Sequence, residues 1–209
     1  IGRSQDSAVT AVQVVGWDLP SGRIRWRASQ PTTGTDPPAW SPAGAGGVLV
    51  GYWGARQQPR GWTFTVAAFR PNELAAVWTT TPGPVGQGLS TYGRVAPRGA
   101  GYVAIMEEVD ANFRERRVWV ELGTNGTAQS QPSEIAWTAH PYDVSLLGCD
   151  NRTWVASNNS GTLTLATLDG TGTASRVWEV GSSMRGMSRP GMVCAGNEVV
   201  LTWEELHAS

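Results

Sequence analysis

Lysine is missing altogether: all 16 basic residues of the 209-residue chain are arginine. An amine nucleophile or a lysine Schiff base is therefore outside this chain's own side-chain chemistry. Arginine used without lysine is the codon habit of a GC-rich genome and points to a bacterial source. Histidine occurs only as His140 and His207, and cysteine only as Cys149 and Cys194. With so few ligands and no Cys-x-x-Cys pair, structural zinc is disfavoured. No Gly-x-Ser-x-Gly elbow is present, and His140-Pro141-Tyr142-Asp143 is a proline turn in which i, i+3 proximity is ordinary. A serine or cysteine hydrolase is disfavoured on those grounds. There is no P-loop and no dinucleotide fingerprint. No run of about 18 apolar residues exists, so no membrane span is expected. A formal net charge of -1 supplies no pull toward nucleic acid or an anionic membrane. No charged-then-apolar leader opens the chain, and Ile1-Gly2 reads as a mature or trimmed start.

What the chain has in quantity is glycine (26), proline (13) and tryptophan (11). Glycine and proline at this level suit many turns and few helices. Four stretches align without gaps: Ala39 to Trp53, Gly93 to Glu107, Val144 to Asn158 and Pro190 to Glu204. Each reads as a short apolar strand, a tight Gly/Asn turn and a second apolar strand. The first three are followed by a third strand and a fourth that carries a Trp. The fourth lacks this second half, and a matching pair, Val9 to Asp18 and Arg23 to Ala28, stands near the N-terminus.

This pattern predicts an all-β fold: a four-bladed β-propeller closed by pairing the N-terminal strands with the C-terminal blade. Residues 1–209 form one domain in this reading. Blade one spans about 39–80, blade two about 92–138, blade three about 143–180, and blade four about 190–205 plus 9–28. Residues 1–8 are polar and expected to be loose. Closure by both ends leaves no open edge and no further blade. The outer strands repeat a tryptophan, at Trp26, Trp78, Trp137 and Trp178. Large aromatics at such positions plug the gaps between neighbouring blades, and most of the Trp content is assigned to that role.

The segment Val14-Val-Gly-Trp-Asp-Leu-Pro-Ser-Gly-Arg-Ile-Arg-Trp26 resembles quinoprotein-like and lectin-like propeller repeats of bacterial type. In such blades a strand ends in Asp, a Gly turn follows, and the next strand carries Trp. The resemblance covers one blade, and it implies architecture and no functional residue. Neither a Ser-x-Asp-x-Gly-x-x-Trp box nor a Gly-His…Trp-Asp signature is present. Small bacterial propellers of this kind bind glycans or proteins, which makes an extracellular or periplasmic recognition role the expectation by analogy.

Function is sought where the aligned repeats differ. The second strands end in Tyr52-Trp53-Gly54, Met106-Glu107-Glu108, Ser157-Asn158-Asn159 and Trp203-Glu204-Glu205. The loops of the same face carry His140 and His207. Paired acids on blades two and four thus face each other across the expected ring. Three readings follow. In the first, the protein is an exported, non-catalytic recognition module binding a glycan or protein. Tyr52, Trp53 and Trp203 stack on the ligand, while Glu107, Glu204, Asn158 and Asn159 hydrogen-bond it. In the second, Glu107 or Glu108 with Glu204 or Glu205, with His140 and His207 nearby, serve a glycosidase, lyase or tailoring enzyme. In the third, the chain is a structural subunit that assembles through its outer strands. No cofactor is required by any of these; opposed carboxylates with Asn and backbone oxygens offer a calcium site. The bland alternative is solvated strand ends, with acids beside Arg114, Arg116 and Arg117 forming surface pairs. Cys149 and Cys194 fall near the ends of first strands in adjacent repeats. A disulfide and two small buried thiols both remain open at this stage.

Overall fold

The computed structural model describes residues 2–6, 9–32, 39–43, 47–56, 61–82, 89–109, 115–135, 144–159, 162–182 and 190–203. It is all-β: these residues form antiparallel sheets, with no helix among them. Three sheets have four strands in sequential order. The first sheet is β4 (Ala39–Ala43), β5 (Gly47–Arg56), β6 (Gly61–Phe69) and β7 (Trp78–Thr80). The second is β8 (Leu89–Arg98), β9 (Gly101–Val109), β10 (Glu115–Leu122) and β11 (Ser133–Glu134). The third is β12 (Val144–Cys149), β13 (Arg152–Asn159), β14 (Thr162–Leu168) and β15 (Ala174–Ser182). A three-stranded N-terminal sheet comprises β1 (Gly2–Asp6), β2 (Val9–Asp18) and β3 (Arg23–Thr32), and a C-terminal hairpin comprises β16 (Gly191–Ala195) and β17 (Glu198–Thr202).

The gapless sequence repeat has a physical counterpart in the hairpin registers. Arg94 lies opposite Ile105, Ser145 opposite Ala156 and Gly191 opposite Thr202, the same offset from the start of each repeat. The first repeat is one residue tighter, with Trp40 opposite Val50. The turns agree: Gly99, Asp150 and Gly196 occupy one repeat position, and all three have positive φ (55°, 52° and 62°). Asn151 joins Asp150 with φ 53°, giving two left-handed residues in succession, the geometry of a hairpin turn whose twist matches its strands. Asx chemistry tolerates that region where β-branched residues do not.

Sheets pack face to face through apolar residues at alternate strand positions. Leu49, Phe64, Val66, Val95, Met106, Val118 and Val120 fill the seam between the first and second sheets. Val103, Ile105, Trp119, Val144, Val155 and Leu168 fill the next. First strands approach closely: a Cβ added at Gly148 of β12 would collide with the Pro97 carbonyl oxygen of β8. Tryptophans plug two seams. Trp78 of the first sheet donates from Nε1 to the Thr124 carbonyl (3.0 Å), in the β10–β11 turn of the second, and packs on Gly126. Trp119 of the second sheet packs on Gly172, in the matching β14–β15 turn of the third. Trp137 lies outside the described residues.

The N-terminal end departs from expectation. Residues 2–6, expected to be loose, form β1 and pair with β2 from Gly2↔Gln13 to Asp6↔Val9. That places β1 on the β2 edge to which the C-terminal pair was expected to bind. Among the described residues no ladder joins β2 or β3 to β16 or β17. The N-terminal sheet instead packs its face on the first sheet, through Val12, Val14, Ala28, Val50, Tyr52, Ala67 and Phe69. The Ser29 amide also donates to the Leu74 carbonyl at 2.9 Å. None of the three buried clusters contains a residue of the C-terminal hairpin. A disulfide, Cys149–Cys194, ties the hairpin to β12 with a Cα separation of 5.6 Å. The Ser145 hydroxyl adds a hydrogen bond to the Pro190 carbonyl.

Candidate functional site

The strand-end face foreseen from the sequence is only partly described. Tyr52 is buried at 5 % exposure, in the cluster between the N-terminal and first sheets. Burial raises its phenol pKa, because the phenolate would lose its hydration there. A ring in that position packs the core and offers no face to a ligand. Glu107 is also buried, at 3 %, on β9. Arg117 stands directly opposite it in the ladder, and Arg116 opposite Glu108, so each acid has a cross-strand basic partner position. Asn158 is half-buried on β13 opposite Leu163, and Trp203 is exposed just past β17. The side chains of Trp53, Glu108 and Asn159 lie outside the described residues, as do Glu204, Glu205, His140 and His207. Opposition of the two Glu pairs, and a calcium site built on it, therefore rest on positions outside the description. Among the described residues no three His, Cys, Asp or Glu side chains converge, and no helix is long and apolar enough to cross a membrane.

Two concave sites come from residues that sequence reasoning had not grouped. The first is a cavity of about 470 Å³ walled by the first strands β4, β8, β12 and β16. Its surface is mainly apolar, from Val95, Leu146, Leu147, Met192 and Val193, with Ser41 and Ser145 among the lining residues. Trp40, Arg94, Ser145 and Gly191 take the same repeat position in the four strands and all line it. Trp40 is 62 % exposed, whereas Arg94 is only 4 % exposed. The Arg94 guanidinium donates from Nε to the Val144 carbonyl (2.9 Å) and from Nη1 to the Gly93 carbonyl (2.7 Å), clamping β8 to β12. The signal that would have found this cavity is the repeat alignment itself, read down the first strands instead of at the ends of the second.

The second is a groove of about 590 Å³ between the third sheet and the C-terminal hairpin. Trp154 and Trp178 stack across its floor with ring centroids 5.8 Å apart and planes 20° apart. The Trp154 Nε1–H donates to the Cys149 carbonyl at 3.3 Å, beside the disulfide that sets the far wall. Asp150, Arg152, Glu179 and Asn197 form an exposed polar rim.

Two turn carboxylates have depressed pKa values. Asp169 Oδ1 accepts from the Thr171 hydroxyl (2.7 Å), the Thr171 amide (2.8 Å) and the Thr173 amide (3.0 Å), and these bonds hold its pKa below the ordinary Asp value. Asp18 is lowered likewise, by the Ser21 hydroxyl (2.5 Å) and amide (3.2 Å). Asp169 is exposed and Asp18 half-buried, both stabilise turns, and neither lines the cavity or the groove.

No family model matches the chain, and no curated protein or solved structure matches it.

Proposed function

We propose that this chain is an exported, non-catalytic recognition module of propeller type, whose four repeats are blades around the cavity and whose ligand, a glycan or a protein element, enters that cavity. One observation carries the reading: the first strands of all four repeats wall a single cavity, with Trp40 exposed among its lining residues. Pockets that bind by shape combine apolar and aromatic walls with a few fixed polar groups, and this one does so with Trp40, Ser41 and Ser145. A close approach of backbones at Gly148 and the Arg94 clamp favour a cavity already formed before binding. The Cys149–Cys194 disulfide supports an oxidising, exported setting. The test is a paired screen of wild type and Trp40→Ala against a glycan array and a panel of purified surface proteins. A ligand that loses at least about tenfold in affinity with Trp40→Ala is the expected result. A ligand held equally by both proteins would overturn the assignment to the cavity.

A further inference from the structure

We infer that the groove between the third sheet and the C-terminal hairpin is a second binding site, for a neutral oligosaccharide seated on Trp178 and Trp154. It is separate from the cavity and does not depend on the reading given there. Trp178 differs from the tryptophans at the other seams. At the first two seams a tryptophan is covered by the third-to-fourth strand turn of the next sheet, Gly126 over Trp78 and Gly172 over Trp119. Among the described residues the C-terminal hairpin has two strands and no third-to-fourth strand turn, and Trp178 beside it is 37 % exposed. An aromatic of the kind that elsewhere closes a seam here forms the floor of an open groove.

The floor is built to stay in place. The near-parallel stack restrains the Trp178 ring, the Cys149 carbonyl holds Trp154, and the disulfide holds the hairpin against β12. Preorganisation of this sort removes part of the ordering cost of binding. A flat, partly wet indole face suits the apolar C–H face of a pyranose, whose hydroxyls then point to the rim. Along that rim, carboxylates accept from hydroxyls, the Arg152 guanidinium donates, and the Asn197 amide does both. Two carboxylates, Asp150 and Glu179, against one guanidinium disfavour uronates and sulfated sugars, which selects a neutral chain. A docked strand pair is the competing occupant. It would cover the same charged groups without offering each a partner, which is costly.

The test uses the full chain with cellohexaose, chitohexaose and maltohexaose as neutral probes and polygalacturonate as the acidic one, read by tryptophan fluorescence and calorimetry. At least one neutral hexasaccharide is expected to bind and to shift the tryptophan emission. Trp178→Ala should weaken it at least about tenfold and Asn197→Ala, an exposed turn substitution, at least about threefold. Trp40→Ala should leave it within about twofold. No binding of the three neutral probes up to about 10 mM would overturn the inference. So would preferential binding of polygalacturonate. Binding lost with Trp40→Ala but kept with Trp178→Ala would place the sugar in the cavity and overturn only the groove. Concentration-dependent dimers abolished by Trp178→Ala would assign the groove to a second copy of the chain, which also overturns it.

Discussion

Removing the disulfide should free the C-terminal hairpin while the rest of the protein stays folded. The perturbation is the double substitution Cys149→Ser, Cys194→Ser. The cross-linked residues are 45 apart in sequence. If the whole molecule unfolded, closing a loop of that size corresponds to about 4 kcal/mol of lost chain entropy. The hairpin has a shorter way out. β15 ends at Ser182, so with the third sheet intact the cross-link at Cys194 closes a loop of roughly 12 residues, corresponding to about 3 kcal/mol. Among the described residues no hairpin residue belongs to the three buried clusters, and the β16–β17 residues are exposed or half-buried. Little apolar area holds the hairpin once the tether is cut, so local opening wins over global unfolding. Amide exchange should show protection in β16–β17 falling by about 100-fold, the equivalent of about 3 kcal/mol, with β12–β15 nearly unchanged. The main thermal transition should stay within a few degrees. If it fell instead by roughly 8–16 °C, the full 4 kcal/mol for a domain of this size, with exchange accelerated evenly, the hairpin would be part of the cooperative core and the reasoning would be wrong. Unchanged exchange in β16–β17 would refute it equally.

Other outcomes follow from single sites. A Cβ at Gly93 would lie 2.6 Å from the Phe64 ring, which is fully buried and equally close to the position of a Cβ on Gly51. Gly93→Ala should therefore cost about 1–3 kcal/mol by denaturant titration, and less in a Phe64→Leu background, where the clash is relieved. For Asp169 the folded pKa is lowered, so its contribution to stability is complete above the ordinary Asp value and lost as pH falls through the folded value. NMR titration of its carboxyl should show a midpoint below that of a free Asp, and Thr171→Val should move the midpoint up. An unshifted midpoint in the wild type would contradict the turn geometry.

Much of the local structure was legible in the sequence because it is short-range. A Gly or Asx at one repeat position sets the hairpin turn, and alternation of apolar residues sets which face is buried. The registers of repeats two, three and four agree with a gapless alignment for that reason. The turn after Asp18 is equally local: the Ser21 amide and hydroxyl donate to the Asp18 carboxylate three residues away. The candidate site was far less legible. Tyr52 and Glu107 are residue types that serve ligands well, yet Tyr52 packs into the cluster under the N-terminal sheet and Glu107 is buried on β9. Their burial depends on which sheet packs against which, and strand pattern does not carry that information. Trp178 shows the converse. Its place in the outer-strand series marks it as a seam residue, yet in the structure it is 37 % exposed and lines a groove beside the hairpin.

Taken by itself, then, the sequence determined an all-β chain of repeated hairpins, because turn chemistry and period-two patterning act over a few residues. Tertiary structure decided which edges pair, with β1 taking the edge of β2. It decided which polar residues are buried, and it gathered Trp40, Arg94 and Ser145 around one cavity and Trp154 and Trp178 into one groove. The physical reason is that an open strand edge or an apolar face will accept any partner of suitable register and shape. The choice among partners is made by the packing of the whole molecule.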